Sequence, residues 1–293
     1  MRARGILSLL SSFPVLGRAG QSPDIRSLFT FGDSYSSTKF DVSSTQPSPG
    51  NPMGNPQLGL GTAADSINWV GYLTTQYNDT TVLSYNHAVY GATVNNSIVA
   101  SDPDVPRDLV YQVLDAFERN YCPPHTTGLG WSADAALFGV WIGINDIYFA
   151  YQLPDPLDTL SRVLQSYFNL VDHLHACGAR DFLISNIPPC DRTPNIVALE
   201  QSEVKLYESV TAQFNDWLLD AVDEWRSANP DSTMRTYDSW SFFTEVLDNP
   251  QEYGFVDSTC IGYEQGCFWW DNFHPVSAFH NLLAADVGRF LDW

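Results

Sequence analysis

The chain has 293 residues, 44% of them hydrophobic, enough to bury one large core and within the range of single α/β domains. It carries 34 Asp and Glu against 14 Lys and Arg, a formal charge of −20. Such a surface repels phosphate backbones, anionic membranes and acidic polysaccharides; it excludes nucleic acid as an expected partner and suits neutral substrates.

Residues 1–19 read as a secretory signal, with Arg2 and Arg4 as a basic start, an apolar run from Ile6 to Leu16, and small residues at Gly17 and Ala19 for cleavage after Ala19. The same segment left uncleaved would be an anchor. No later apolar stretch is long enough to span a bilayer. Residues 20–293 read as one domain, because no linker, charge run or internal repeat divides them.

The first predicted strand is Leu28–Phe31, and it runs into Gly32-Asp33-Ser34. That places a serine hydroxyl at the carboxyl end of a strand, where parallel α/β sheets carry their chemistry. Taken alone, Gly-Asp-Ser is also ordinary turn composition. Residues 38–66 hold Pro47, Pro49, Pro52 and Pro56 among several glycines and read as a long irregular loop, either part of a site's mouth or a passive excursion. A helix is expected over Ile67–Tyr77 and a strand over Val82–Asn86, followed by Tyr90-Gly91-Ala92-Thr93. Further on come a helix over Arg107–Tyr121 and a strand over Ala135–Ile142, followed by Gly143-Ile144-Asn145-Asp146. The pattern continues with helix Leu157–Ala176, strand Asp181–Ile187, helix Asn195–Ala228, strand Thr233–Tyr237 and a closing helix Ser277–Leu291. Alternation of this kind argues for a mostly parallel sheet covered on both faces.

Just before the last helix stands Asp271-Asn272-Phe273-His274-Pro275. A serine that attacks an acyl group needs a base for its proton, and the base needs an acid to hold its tautomer. His274 and Asp271, three residues apart, have the chemistry and spacing for those roles, although Asp-x-x-His before a helix is also a plausible cap. A tetrahedral intermediate further needs fixed N–H donors; a glycine lets the backbone approach and an asparagine adds a side-chain amide. Gly91 and Asn145 fit. Ser, Gly, Asn and His arrive in that order, each where its element ends.

These four blocks resemble the GDSL, or SGNH, hydrolase superfamily over the whole mature chain. The resemblance implies a three-layer α/β/α sandwich with a five-stranded mostly parallel sheet, flavodoxin-like in order. It implies Ser34 as nucleophile, Asp271 and His274 as its acid–base pair, and Ser34, Gly91 and Asn145 as the oxyanion hole. The runs Asn51–Pro56 and Ile67–Leu73, with Tyr90–Thr93 and Gly143–Ile147, further resemble the secreted fungal acetylesterases of carbohydrate esterase family 16. That implies an acetylated carbohydrate substrate, such as an acetylated xylo-oligosaccharide, and no cofactor. A lipase or carboxylesterase for longer acyl chains, or a glycan-binding protein on an inactive scaffold, is the alternative.

Trp269 and Trp270, next to the Asp271–His274 segment, and Asn68 and Trp69, after the irregular loop, are expected either to meet a sugar ring or to pack in the core. Asp33 and Asp146 are expected to brace their turns, and Trp141 to lie in the core. His87, His125, His173, His175 and His280 read as structural or surface residues. Sequons at Asn78 and Asn95 agree with export to an extracellular destination. Of five cysteines, Cys260 and Cys267 are the expected pair; Cys122, Cys177 and Cys190 leave one further bridge open. No spacing of Cys and His suggests a metal site. The chain is expected to act as a monomer without membrane partners.

Overall fold

A computed structural model describes residues 25–103, 105, 107–124, 130–262 and 266–293. The signal segment and His125 lie outside the described residues. Five strands, β1 (Ile25–Gly32), β2 (Thr81–Asn86), β3 (Ala136–Trp141), β4 (Asp181–Ser185) and β5 (Thr233–Tyr237), form one sheet in the order β2-β1-β3-β4-β5. Every pairing is parallel. The chain order reverses between β1 and β3, and ligands in such sheets gather beyond the strand ends at that reversal.

Register decides what each face buries. Tyr85, Phe29, Phe138 and Phe182 are successive partners across four strands, so one face carries a row of aromatic rings. Phe29 stacks on Tyr85 and Phe138 at 4.8 and 4.9 Å between centroids. A π-helical segment, Tyr111–Glu118, covers this row through Phe117 and continues into α2 (Arg119–Tyr121). Helices α4 (Pro156–Ala176) and α6 (Gln201–Ala228) complete the layer, with Trp225 of α6 against Phe182. On the opposite face Trp141 packs edge-on to Trp69 of α1 (Trp69–Thr75) and to Phe243 of α7 (Ser239–Asp248). Phe243 in turn meets Phe279 of α8 (Ser277–Leu291). The result is the expected three-layer α/β/α sandwich.

Local differences from the sequence reading have physical causes. The segment 107–121 winds largely as a π-helix, and the wider turn brings Gln112 onto Gly32. The long helix expected from Asn195 divides into a short α5 (Pro194–Val197) and α6, because residues 198–200 leave the helical path. Helix α7 escaped the reading: it is short, and its start depends on Asp238, whose carboxylate accepts the Ser241 N–H. Helix α3 (Ile144–Ala150) begins immediately after β3, with Gly143 at φ 120° as its N-cap. A Cβ there would lie 3.0 Å from Ile187 Cδ1, so the turn requires glycine.

Cys260 and Cys267 are bonded as expected, and the second bridge joins Cys122 to Cys177; Cys190 is free and buried. No described helix is long and apolar enough to cross a membrane. Both sequon amides are occupied as donors, Asn78 Nδ2 to Leu73 O at 2.7 Å and Asn95 Nδ2 to Ser166 Oγ at 3.1 Å.

Candidate active site

The backbone rather than the serine sets the site's position. Gly32, the last residue of β1, sits at φ 157°, and a Cβ on it would lie 2.2 Å from Trp141 O. Only glycine lets β1 and β3 approach there. Gln112 grips the same residue from both sides: its Oε1 accepts the Gly32 N–H and its Nε2 donates to Gly32 O, each at 2.8 Å. Beyond Gly32 the chain turns on Asp33, whose Oδ1 accepts the Tyr35 N–H at 3.0 Å and whose carbonyl accepts from Ser36 and Ser37. Ser34 emerges from this turn, nearly buried.

His274 reaches Ser34 from the far end of the sequence. Its Nε2 lies 2.8 Å from Ser34 Oγ, across a separation of 240 residues. Its Nδ1 lies 2.9 and 2.8 Å from the two Asp271 oxygens. Partial burial pushes the Asp271 carboxyl up, but the His274 ring and the Phe273 and His274 amides together hold it below the ordinary carboxylate range. An ionised Asp271 only accepts, so Nδ1 carries the proton and Nε2 is left to accept from the serine. Tyr35 locks the loop by donating its hydroxyl to Phe273 O at 2.6 Å. Its ring and that of Tyr90 lie 5.7 and 5.3 Å from the imidazole.

The other predicted donors stand in the turns after β2 and β3. Gly91 adopts φ 74° after β2, and Asn145 opens α3 after β3. One Asn145 amide N–H is given to Ala92 O at 2.9 Å, which fixes the amide against the Gly91 turn. Asp146 ties the same two segments together: both of its oxygens accept the Val94 N–H at 3.1 Å. Burial raises Asp33 to about 7 and Asp146 to about 8, outweighing the backbone bonds that each accepts.

Three expected substrate contacts are corrected by burial. Asn68 is 1% exposed: it caps α1 and donates to Ser36 O and Ser37 O, bracing the nucleophile turn. Trp69 donates to Ser36 Oγ and lies under the sheet. Trp269 is 1% exposed and donates to Ser258 O. A ring enclosed in this way has no free face for a sugar. Trp270 is half-buried, its backbone N–H held by His274 O at 2.7 Å. Among the other histidines, His173 and His175 each lie 3.4 Å from a carboxylate, Glu118 and Asp231. No cluster that could hold a metal occurs among the described residues.

Sequence reasoning passed over Gln112, Tyr35 and Tyr90. The signal for the two tyrosines was adjacency to Ser34 and Gly91; Gln112 had none, because its partner is backbone 80 residues away.

A parallel sheet with a serine at its order reversal, an imidazole in contact with it and a carboxylate behind the imidazole defines a serine-type hydrolase site. Residues 28–287 match the GDSL-like Lipase/Acylhydrolase family, and the chain belongs to that family. It is a carboxylic ester hydrolase. It is similar to an acetylesterase from Thermothelomyces thermophilus, 37% identical over 267 residues, spanning 89% of this chain and 86% of the relative. It is also similar to an acetylesterase from Hypocrea jecorina, 23% identical over 98% of this chain and 94% of the relative. In structure it resembles an acetylxylan esterase from Geobacillus stearothermophilus, with a TM-score of 0.50 at 16% identity over 92% and 94% of the two chains, a likeness of fold.

Proposed function

We propose that this protein is a secreted serine esterase that removes acetyl groups from carbohydrates through an acetyl-Ser34 intermediate. The observation that carries the reading is the unbroken relay Asp271–His274–Ser34, with both links at 2.8 Å. The acetyl preference is supported by the Thermothelomyces thermophilus acetylesterase, which matches most of both chains. Export is supported by the basic and apolar residues 1–19 and by two disulfides, bonds that persist in oxidising compartments.

In this mechanism Ser34 Oγ attacks the acetyl carbonyl as its proton passes to His274 Nε2. Asp271 keeps Nδ1 protonated and stabilises the imidazolium. The carbonyl oxygen becomes negative and is met by the Ser34 and Gly91 amides and by the second N–H of Asn145, whose first is committed to Ala92 O. The sugar hydroxyl leaves with the proton from His274, and water repeats the sequence to release acetate. His274 takes this proton through its unprotonated Nε2.

The test is Ser34→Ala assayed on an acetylated xylo-oligosaccharide and on p-nitrophenyl acetate, with circular dichroism to confirm the fold. Turnover should vanish on both. Wild-type enzyme should also hydrolyse p-nitrophenyl acetate much faster than the octanoate. Full activity of Ser34→Ala would overturn the mechanism, and faster cleavage of the octanoate would replace the acetyl reading with a longer-chain esterase.

A further inference from the structure

Two clefts of about 650 and 620 Å³ adjoin the site and share Lys39, Val89, Tyr90 and Arg107 in their walls. Tyr90, which lines both clefts, is 50% exposed and its ring stands 5.3 Å from that of His274, so it links the clefts to the imidazole. Val105, in the second cleft, lies only 3.1 Å from where a Gly91 Cβ would stand. Through Tyr90 and Val105 the clefts reach towards the imidazole and the expected oxyanion turn.

Their charge runs against that of the whole molecule. The chain has 14 basic residues and a charge of −20, yet Lys39 and Arg107, both exposed, face this one place. Neither forms an ion pair among the described residues. The Arg107 guanidinium lies 5.1 Å over the Tyr111 ring, which orients it without neutralising it. Asp41 lines the first cleft but is absent from the second; the Ser43 hydroxyl and amide hold its carboxylate below the usual range, with a small contribution from Arg107. Lys39 has a left-handed backbone, φ 57°, which a side chain larger than glycine disfavours by about 1 kcal/mol or more. Gly61 packs behind it so closely that a Cβ would meet Thr38 O at 2.3 Å. The irregular loop thus holds Lys39 in a conformation it would not choose, where it lines both clefts.

We propose that Lys39 and Arg107 form a subsite for a carboxylate on the carbohydrate. The preferred substrate is then an acetylated oligosaccharide bearing a uronic acid next to the acetylated sugar. A guanidinium matches a carboxylate with two parallel bonds, an ammonium adds a point charge, and the open face of Tyr90 suits a sugar ring. The acidic surface does not oppose this, because charges further than about 8 Å are screened at physiological salt. A polyanion is repelled; a single carboxylate on a neutral oligomer responds to its nearest neighbours. This inference rests on the acetylesterase reading above and narrows its substrate.

The experiment compares two acetylated xylo-oligosaccharides of equal length, one carrying a uronic acid beside the acetylated xylose. The kcat/KM ratio between them is measured for wild type, Lys39→Gln, Arg107→Gln and the double variant, at low and high salt. Wild type should favour the acidic substrate, and the double variant should lose about fivefold to tenfold of that ratio, as expected for two partly exposed ion pairs. High salt should erode the wild-type ratio towards that of the double variant, and Lys39→Glu should invert it. An equal rate on both substrates by wild type, or a ratio unchanged in the double variant, overturns the subsite and leaves the acetylesterase reading standing. Failure of wild type to deacetylate either substrate overturns both.

Discussion

Asn145 shows how one side chain serves two neighbours. Its amide has two N–H groups, and Ala92 O takes one at 2.9 Å. That bond holds the β2 and β3 turns in register and fixes the direction of the second N–H. Asn145→Ala should therefore lower kcat on p-nitrophenyl acetate by about 100- to 1000-fold, as when an oxyanion donor is removed elsewhere. Its melting temperature should stay close to wild type, since the residue is only half-buried and a single net hydrogen bond is worth about 1 kcal/mol. A kcat within a few-fold of wild type would remove Asn145 from the mechanism. At this scale the chemical residues were legible in the sequence: Ser34, Asp271 and His274 carry reactive groups in short motifs. Asn68, Trp69 and Trp269 were not, because a polar or aromatic residue near a motif reads alike whether it faces substrate or holds the turn from behind.

Between elements, the site depends on contacts that bridge long stretches of chain. Gln112, from the π-helical segment, satisfies both backbone groups of Gly32 two residues before the nucleophile. Gln112→Leu leaves a buried N–H without its partner, which costs about 1–3 kcal/mol. Denaturant unfolding should show that loss, and kcat should fall with it because the Ser34 turn loses its support. An unchanged kcat at reduced stability would confine Gln112 to a structural role. Helix α8 is anchored in the same manner. It begins at Ser277, as its sequence pattern predicted, and the Ser277 N–H is capped by Asp65 from the irregular loop at 2.6 Å. Strand and helix positions followed from periodicity, a local property. The π winding, the break between α5 and α6 and the short helix α7 did not, because they answer to partners on other elements.

Across the whole molecule, burial of ionisable groups gives stability a defined pH profile. Asp33 and Asp146 are raised to about 7 and about 8, so the folded state holds protons that the unfolded chain has released. Their contribution is complete below the ordinary carboxylate range and is lost as pH rises through those values. His87 and His280 are pushed by burial to about 3, the opposite case; their contribution is present above about 6.5 and is lost as pH falls towards 3. Between these limits the two pairs oppose one another. Above about 7 the histidines no longer contribute a slope, and the carboxylates alone remain. The melting temperature should therefore fall from pH 6.5 to 8.5, and Asp146→Asn should reduce that fall while keeping an oxygen for the Val94 N–H. A melting temperature that rises over this range would contradict the burial of both carboxylates.

The sequence by itself determined the α/β class, the five strands, the motif that carries each reactive group, and the Cys260–Cys267 pair. All of these are written in periodicity or in adjacent residue types. Only the tertiary structure decided that His274 stands 2.8 Å from Ser34, that three of the four suspected sugar contacts are interior braces, and that Cys122 bonds Cys177. It alone brought Lys39 and Arg107 to the same cleft beside Tyr90. The reason is that side-chain chemistry is local, whereas burial and electrostatic surroundings come from residues that only folding makes neighbours.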